Sequence, residues 1–221
     1  MMEIEKNTVP AKNQLAAGAQ IAFECRGSDG IKIAFIGNSI TRHGPAPALG
    51  WQGDWGMAAS CREKDYVHQV LAGLSRGTAV QGCICNASQW ERGYNRGFDL
   101  DFFAPVRDFC PDILVMRVVE NCPIGDFQPK VFEGAYETLI GYLKAEHTKV
   151  ILTTSSWKHP GDRVIQGVAE KYGYPCIFLG ELGEQDTMKA VGKFDHTGVA
   201  AHPGDAGMAY IAQAILKEIK L

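Results

Sequence analysis

The feature that most constrains the fold is a pair of near-continuous apolar runs, residues 31–36 (IKIAFI) and 113–119 (ILVMRVV), each about the length of a strand. A run with so little polar alternation has no solvent face, so it suits a strand covered on both sides. Shorter runs at 79–85, 149–153 and 176–179 repeat the signal. Between them lie stretches with helical character at 58–74, 132–146, 163–171 and 205–219, the last marked by Met208, Ile211, Ile215 and Ile219. Asp99 can cap a further short helix ending near Arg107, and 41–57 and 86–98 read as loops.

Strands alternating with helices predict a parallel sheet, and right-handed crossovers put helices on both of its faces. The expectation is one α/β domain over residues 1–221, a three-layer α/β/α sandwich with a five-stranded parallel sheet. Residues 1–30 form a polar N-terminal extension, within which 20–24 can add an outer strand before the Arg26–Gly30 turn.

Charge and composition narrow the partners. With 22 Lys and Arg against 25 Asp and Glu, the net charge of −3 gives no basis for a nucleic-acid or anionic-membrane surface. No apolar run reaches the ~18 residues of a spanning helix, so neither a membrane nor a nucleic acid is expected as partner. The polar start carries no signal-peptide core, which predicts a cytoplasmic protein, or a periplasmic or secreted one whose leader was removed. The seven cysteines are scattered and are expected as reduced thiols; Cys83 and Cys85 would share one strand face. The six histidines form no compact ligand motif, so no metal and no cofactor is expected.

In a sheet of this kind the ligand lies beyond the C-terminal strand ends. The unusual polar segments all follow predicted strands there: Gly37-Asn38-Ser39, residues 86–90, Glu120-Asn121 and Ser155-Ser156-Trp157. A serine on a tight turn after a buried strand can present its hydroxyl and its own N–H to one site; its plain alternative is a turn-capping serine. Converging N–H groups at such a turn can also bind phosphate, but neither GxGxxG nor GxxxxGK[ST] is present. His202-Pro203, just before the last helix, supplies an imidazole that can take the serine proton and later protonate a leaving group. Its alternative is an exposed loop histidine, with Asp205 capping the helix.

Taken together, these residues resemble the SGNH (GDSL-type) hydrolase superfamily of esterases, lipases, acyl-thioesterases and carbohydrate deacetylases, over about residues 31–221. Gly37-Asn38-Ser39 resembles the first block, with Asn38 replacing the commoner aspartate. Glu120-Asn121 resembles the third, with Val119 where glycine is usual, and His202-Pro203 the last. The resemblance implies a flavodoxin-like sandwich, Ser39 as nucleophile, His202 as base and acid, and Asn121 as oxyanion donor beside the Ser39 N–H. It also implies a backbone donor from a second block, for which Ser88 is the candidate and Gly93 the alternative.

The family's aspartate stands three residues before the histidine, where this chain has Val199. Asp195 on the same loop, Glu120, or a backbone carbonyl in a Ser-His dyad can take its place, or hydrolysis is lost and a carbohydrate-binding protein remains. All four tryptophans (Trp51, Trp55, Trp90 and Trp157) fall beside proposed site loops. With Glu91 and Glu120 they are candidates for substrate binding; loop anchoring and an acyl pocket are the other readings. Arg42 and His43 either touch substrate or face solvent, His196 is structural or substrate-facing, and Asp65, Tyr66 and His68 belong to helix packing. The expected substrate is a short-chain ester, an O-acetyl group on a saccharide or similar small polar alcohol, with lipase or thioesterase chemistry as alternatives.

Overall fold

The computed structural model describes residues 20–26 and 29–219, and the remainder of the polar extension lies outside them. Its core is a six-stranded sheet in the order β1-β3-β2-β4-β5-β6. The strands are β1 (Ile21–Arg26), β2 (Ile31–Gly37), β3 (Val80–Asn86), β4 (Ile113–Met116), β5 (Lys149–Thr153) and β6 (Cys176–Ile177). Five of them run parallel, as expected. The sixth corrects the five-stranded expectation: β1 pairs antiparallel with β3, Ile21 opposite Cys85 and Arg26 opposite Val80. It therefore extends past residue 24 into the expected turn. With Glu24 and Arg26 along it, β1 closes one sheet edge with a charged strand.

Side chains alternate along each strand, so the two faces carry separate cores. Ala34, Ile36, Cys83, Cys85, Leu114 and Met116 face one side. There they meet α2 (Ser88–Gly93), α3 (Ala104–Phe109), α4 (Pro129–Leu143) and α5 (Asp162–Tyr172). Ile33, Phe35, Val80, Ile84, Ile113 and Val115 face the other, against α1 (Tyr66–Leu74) and α7 (Asp205–Glu218). On α7, Met208, Ile211 and Ile215 are fully buried; each side chain of this kind contributes about 1.5–3 kcal/mol of hydrophobic stabilisation.

Two expected elements are shorter than their apolar patterns. α1 starts at Tyr66, because Asp65 caps it by accepting the His68 N–H at 2.7 Å. The preceding Ala58 and Ala59 pack inside the loop instead. β4 stops at Met116, since beyond it the Arg117 guanidinium turns to Glu120 and Val119 takes φ 150°. The expected 86–98 loop in turn contains the short helix α2.

β2 has β3 on one side and β4 on the other. The chain thus reverses its direction of travel across the sheet at β2, where open α/β sheets place their ligand crevice. Among the described residues no helix is long and apolar enough to cross a membrane.

Candidate active site

Ser39 follows the end of β2 by two residues. Close packing requires Gly37 there: a Cβ on it would come within 1.9 Å of Thr41 Oγ1 and 2.9 Å of the Arg117 carbonyl oxygen. The turn is held by the Thr41 and Arg42 N–H groups donating to the Asn38 carbonyl at 2.9 and 3.0 Å, and by Met57 N–H donating to the Ser39 carbonyl at 2.8 Å. Thr41 is fixed in turn by a 2.7 Å hydrogen bond to the Tyr66 hydroxyl.

His202 comes from the far end of the chain. The short helix α6 (Thr197–Ala200) precedes it, and its carbonyl accepts the Ala190 N–H at 2.9 Å. Ser39 Oγ lies 2.7 Å from His202 Nε2. On the other side of the ring, His202 Nδ1 is 2.7 Å from the Gly198 carbonyl oxygen. A carbonyl only accepts, so Nδ1 carries the proton and Nε2 presents a lone pair to the serine hydroxyl. Asp195 is exposed, and the nitrogen it was expected to orient meets the Gly198 carbonyl instead. The backbone of α6 occupies that place.

The pair opens on a cavity of about 100 Å³, lined by the apolar Leu49, Met57 and Val199 and by the polar Ser88, Arg92 and Asn121. Among the described residues no acceptor is bonded to the Ser39 N–H. Asn121 Nδ2 gives one hydrogen to Glu91 Oε2 at 2.6 Å and keeps a second. Ser88 departs from expectation, since its N–H and hydroxyl both donate to Asn86 Oδ1, at 3.0 and 2.6 Å, and its backbone donor is spent. Gly93 lies at the end of α2, away from the pocket wall.

Neither glutamate expected to touch substrate faces the pocket. Glu91 is fully buried and accepts from Asn38 Nδ2 at 3.1 Å, from Asn121 and from the Val119 N–H. Burial and the nearby Glu120 carboxylate push it above the ordinary carboxylate range, and those donors work the other way without cancelling the rise. Glu120 accepts from Asn38 Nδ2 at 2.7 Å, from Arg117 Nη2 at 2.6 Å and from the Ser156 N–H at 3.2 Å. Arg117, itself fully buried, also reaches Ser156 Oγ at 2.7 Å. This buried network lies directly beneath the Ser39 turn.

The network explains why asparagine stands at position 38. Its amide donates to two carboxylates, and its oxygen accepts the Ile40 N–H at 3.2 Å and Arg117 Nη1 at 3.4 Å. An aspartate here would offer a third negative charge to the same two neighbours. The φ of 150° at Val119 lies where glycine is at ease, and the Val119 N–H is tied to Glu91.

The tryptophans separate. Trp90 is in the core, tilted against Tyr94, Phe132 and Tyr136, and is not a substrate residue. Trp51 is also buried, within the 41–57 loop, with its N–H on the His43 carbonyl at 3.0 Å. Trp55 packs edge-on against Trp51, donates to the Ala59 carbonyl at 3.0 Å and borders a different cavity with Arg42 and Asp54. Only Trp157 is exposed beside the pair, its ring 5.6 Å from that of His202 in a T-shaped contact. His43 and His196 both line the pocket, and His196 also caps α6 by accepting the Val199 N–H at 3.0 Å. Asp205, expected as a helix cap, instead accepts the Ser60 N–H and hydroxyl at 2.8 and 2.7 Å.

Burial, the largest influence on His202, disfavours its charge; the Gly198 carbonyl works the other way, and His43, Arg117 and His196 add to the burial effect. The outcome is an imidazole lowered to about 4. Such a ring is neutral, and able to accept a proton, across the physiological range.

No protein-family model matches the chain, and no curated protein does. Solved structures do. A two-domain esterase (CEX) active on acetylated mannans aligns over 85% of this chain and 48% of its own, with 19% identity and a TM-score of 0.52. This chain thus spans about half the length of that enzyme. The psychrotrophic esterase EstA from Pseudoalteromonas sp. aligns over 85% of this chain and 96% of its own, with 12% identity and a TM-score of 0.57. A carbohydrate esterase family 3 protein from Talaromyces cellulolyticus aligns over 86% and 96%, with 16% identity and a TM-score of 0.52. At these identities the likeness is one of fold.

Proposed function

We propose that the chain is a serine esterase of the SGNH type that removes a short acyl group, most specifically an O-acetyl group from a saccharide or similar polar alcohol. The observation that carries this reading is the line Gly198 carbonyl, His202, Ser39, with 2.7 Å at each contact, opening on a small pocket. Ser39 Oγ bonds to the ester carbonyl carbon as its proton passes to His202 Nε2. The carbonyl π electrons move to oxygen, which the Ser39 N–H and the free Asn121 Nδ2–H receive. Collapse breaks the bond to the alcohol oxygen, which leaves with the proton from His202. Water, deprotonated by the same nitrogen, then attacks the acyl-serine carbonyl; the bond to Ser39 Oγ breaks, that oxygen takes the proton back from His202, and the acid leaves.

Size supports a short acyl group. A cavity of about 100 Å³ is small beside the roughly 300–1,000 Å³ of a drug-sized ligand pocket, which suits an acetyl group better than a long chain. The exposed face of Trp157 supports a saccharide, because an indole can cover the apolar face of a sugar ring. The fold is shared with enzymes whose names speak of acetylated mannans and of carbohydrate esters, which supports the same substrate class here.

The test is turnover of acetylated sugars and of p-nitrophenyl esters of increasing chain length, with Ser39→Ala as control. Hydrolysis that falls off beyond short acyl chains and vanishes in the control is expected. No turnover above the control rejects the esterase, and saccharide binding that survives removal of the hydroxyl would then favour a non-catalytic binding protein. Preference for long chains would favour a lipase or thioesterase.

A further inference from the structure

Two consecutive residues of α2 hold opposite ends of one side chain. Glu91 Oε2 accepts from Asn121 Nδ2 at 2.6 Å, and Arg92 Nη2 donates to Asn121 Oδ1 at 3.2 Å. A carboxylate accepts and a guanidinium only donates, so these grips decide which end of the amide is oxygen and which nitrogen. A flipped amide would set donor against donor and acceptor against acceptor. The lower jaw is immobile: Glu91 is fully buried, and its other oxygen holds Asn38 and the Val119 N–H. The upper jaw, Arg92, forms part of the pocket wall with Ser39, Asn121 and His202.

We infer that Glu91 and Arg92 form a clamp that presents the second Nδ2–H of Asn121 to the oxyanion, which makes both of them positioning residues. The inference rests on the esterase reading. One amide hydrogen is committed to Glu91, and the other lies in the same plane, turned away from it. Arg92 on the carbonyl end draws electron density from the amide nitrogen and strengthens that remaining donor. Because the Ser88 N–H is bound to Asn86, Asn121 carries a larger share of the oxyanion's stabilisation. Such a donor acts fully only when it is in place before the charge develops.

A double-mutant cycle on the whole chain, with p-nitrophenyl acetate as substrate, tests this. Asn121→Ala is expected to lower kcat ~100-fold, as loss of an oxyanion donor does. Arg92→Ala should lower kcat ~10-fold with KM within about twofold, since a misplaced donor weakens the transition state and not substrate binding. On the Asn121→Ala background, Arg92→Ala should add nothing, because its effect passes through the missing amide. Arg92→Lys, which retains a donor, should recover part of the loss, and the Arg92 variants should melt with the parent. Full additivity, a change confined to KM, or an Asn121→Ala variant with parental kcat overturns the clamp. Glu91→Gln should reproduce the kcat loss, and if it does not fold the Arg92 cycle still decides. Ser39→Ala separates the two ideas: turnover that survives it removes the esterase reading, whereas turnover that needs Ser39 but ignores Arg92 removes the clamp alone.

Discussion

The Nδ1 of His202 meets the carbonyl oxygen of Gly198 at 2.7 Å, four residues back in α6. The imidazole therefore takes from a peptide group the orientation that a carboxylate supplies in a full triad. A peptide carbonyl brings no full charge and has no titration of its own, so the acid behaviour of the site belongs to the ring.

That ring sets the first expectation. Burial lowers His202 to about 4 from 6.5, so the acid limb of kcat/KM should fall near pH 4. The stability effect has a defined sign. The unfolded chain takes up a proton near 6.5 that the folded chain refuses until about 4, so this contribution is present above 6.5 and lost as pH falls toward 4. A pH–rate profile whose acid limb sits at 6.5 or above contradicts the environment described.

Asp195→Asn separates dyad from triad. The carboxylate is exposed, and Nδ1 already has the Gly198 carbonyl as its partner, so kcat should stay within about twofold of the parent, the scale of a neutral surface change. A fall of two orders of magnitude in steady-state kinetics would instead make Asp195 the orienting acid.

Asn38→Asp places a third carboxylate between Glu91 and Glu120. An uncompensated buried charge costs about 3–5 kcal/mol, so the variant should melt well below the parent at pH 8. Protonation relieves the repulsion, so the gap should narrow at pH 5. Thermal melts at the two pH values decide; an equal gap at both means that charge is not the cause.

His68, on α1, makes the opposite pH statement. Burial opposes its charge, but hydrogen bonds to Asp65 and Glu24, at 2.7 Å each, prevail and raise it to about 9. A raised histidine stabilises fully below 6.5 and loses that contribution as pH climbs through about 9. The parent Tm should decline between pH 7 and 10, and His68→Gln should flatten the decline. A variant that declines just as steeply assigns the effect to other groups.

Trp157→Ala should raise KM for acetylated saccharides more than for p-nitrophenyl acetate, because only the former offers a sugar face to the indole. Equal changes for both would place the residue's importance in its contact with His202.

The layers were legible because strands covered on both faces must be apolar almost throughout, as residues 31–36 and 113–116 are. The direction of β1 was not, since pairing sense leaves no trace in six residues of mixed polarity. The serine and histidine could be read from short local motifs. Glu91 could not: its partners Asn38, Val119 and Asn121 come from two other strand ends, so no spacing in the sequence links them. Trp90 did carry a signal. Tyr94 follows it by four residues, the spacing of neighbours on one helix face, and both pack on Phe132.

Ser39 and His202 are separated by 163 residues, and that distance orders events in time. A chain leaving the ribosome exposes Ser39 and Asn121 long before His202 exists, and domains of this kind form as the chain emerges. His202 then reaches the serine only when α7 docks on the face it shares with α1, with Asp205 gripping Ser60 at its start. On the esterase reading, Ser39 is therefore an unassisted alcohol in the nascent chain until residue 202 has been made and seated. On that reading, the docking of one helix is what completes the pair.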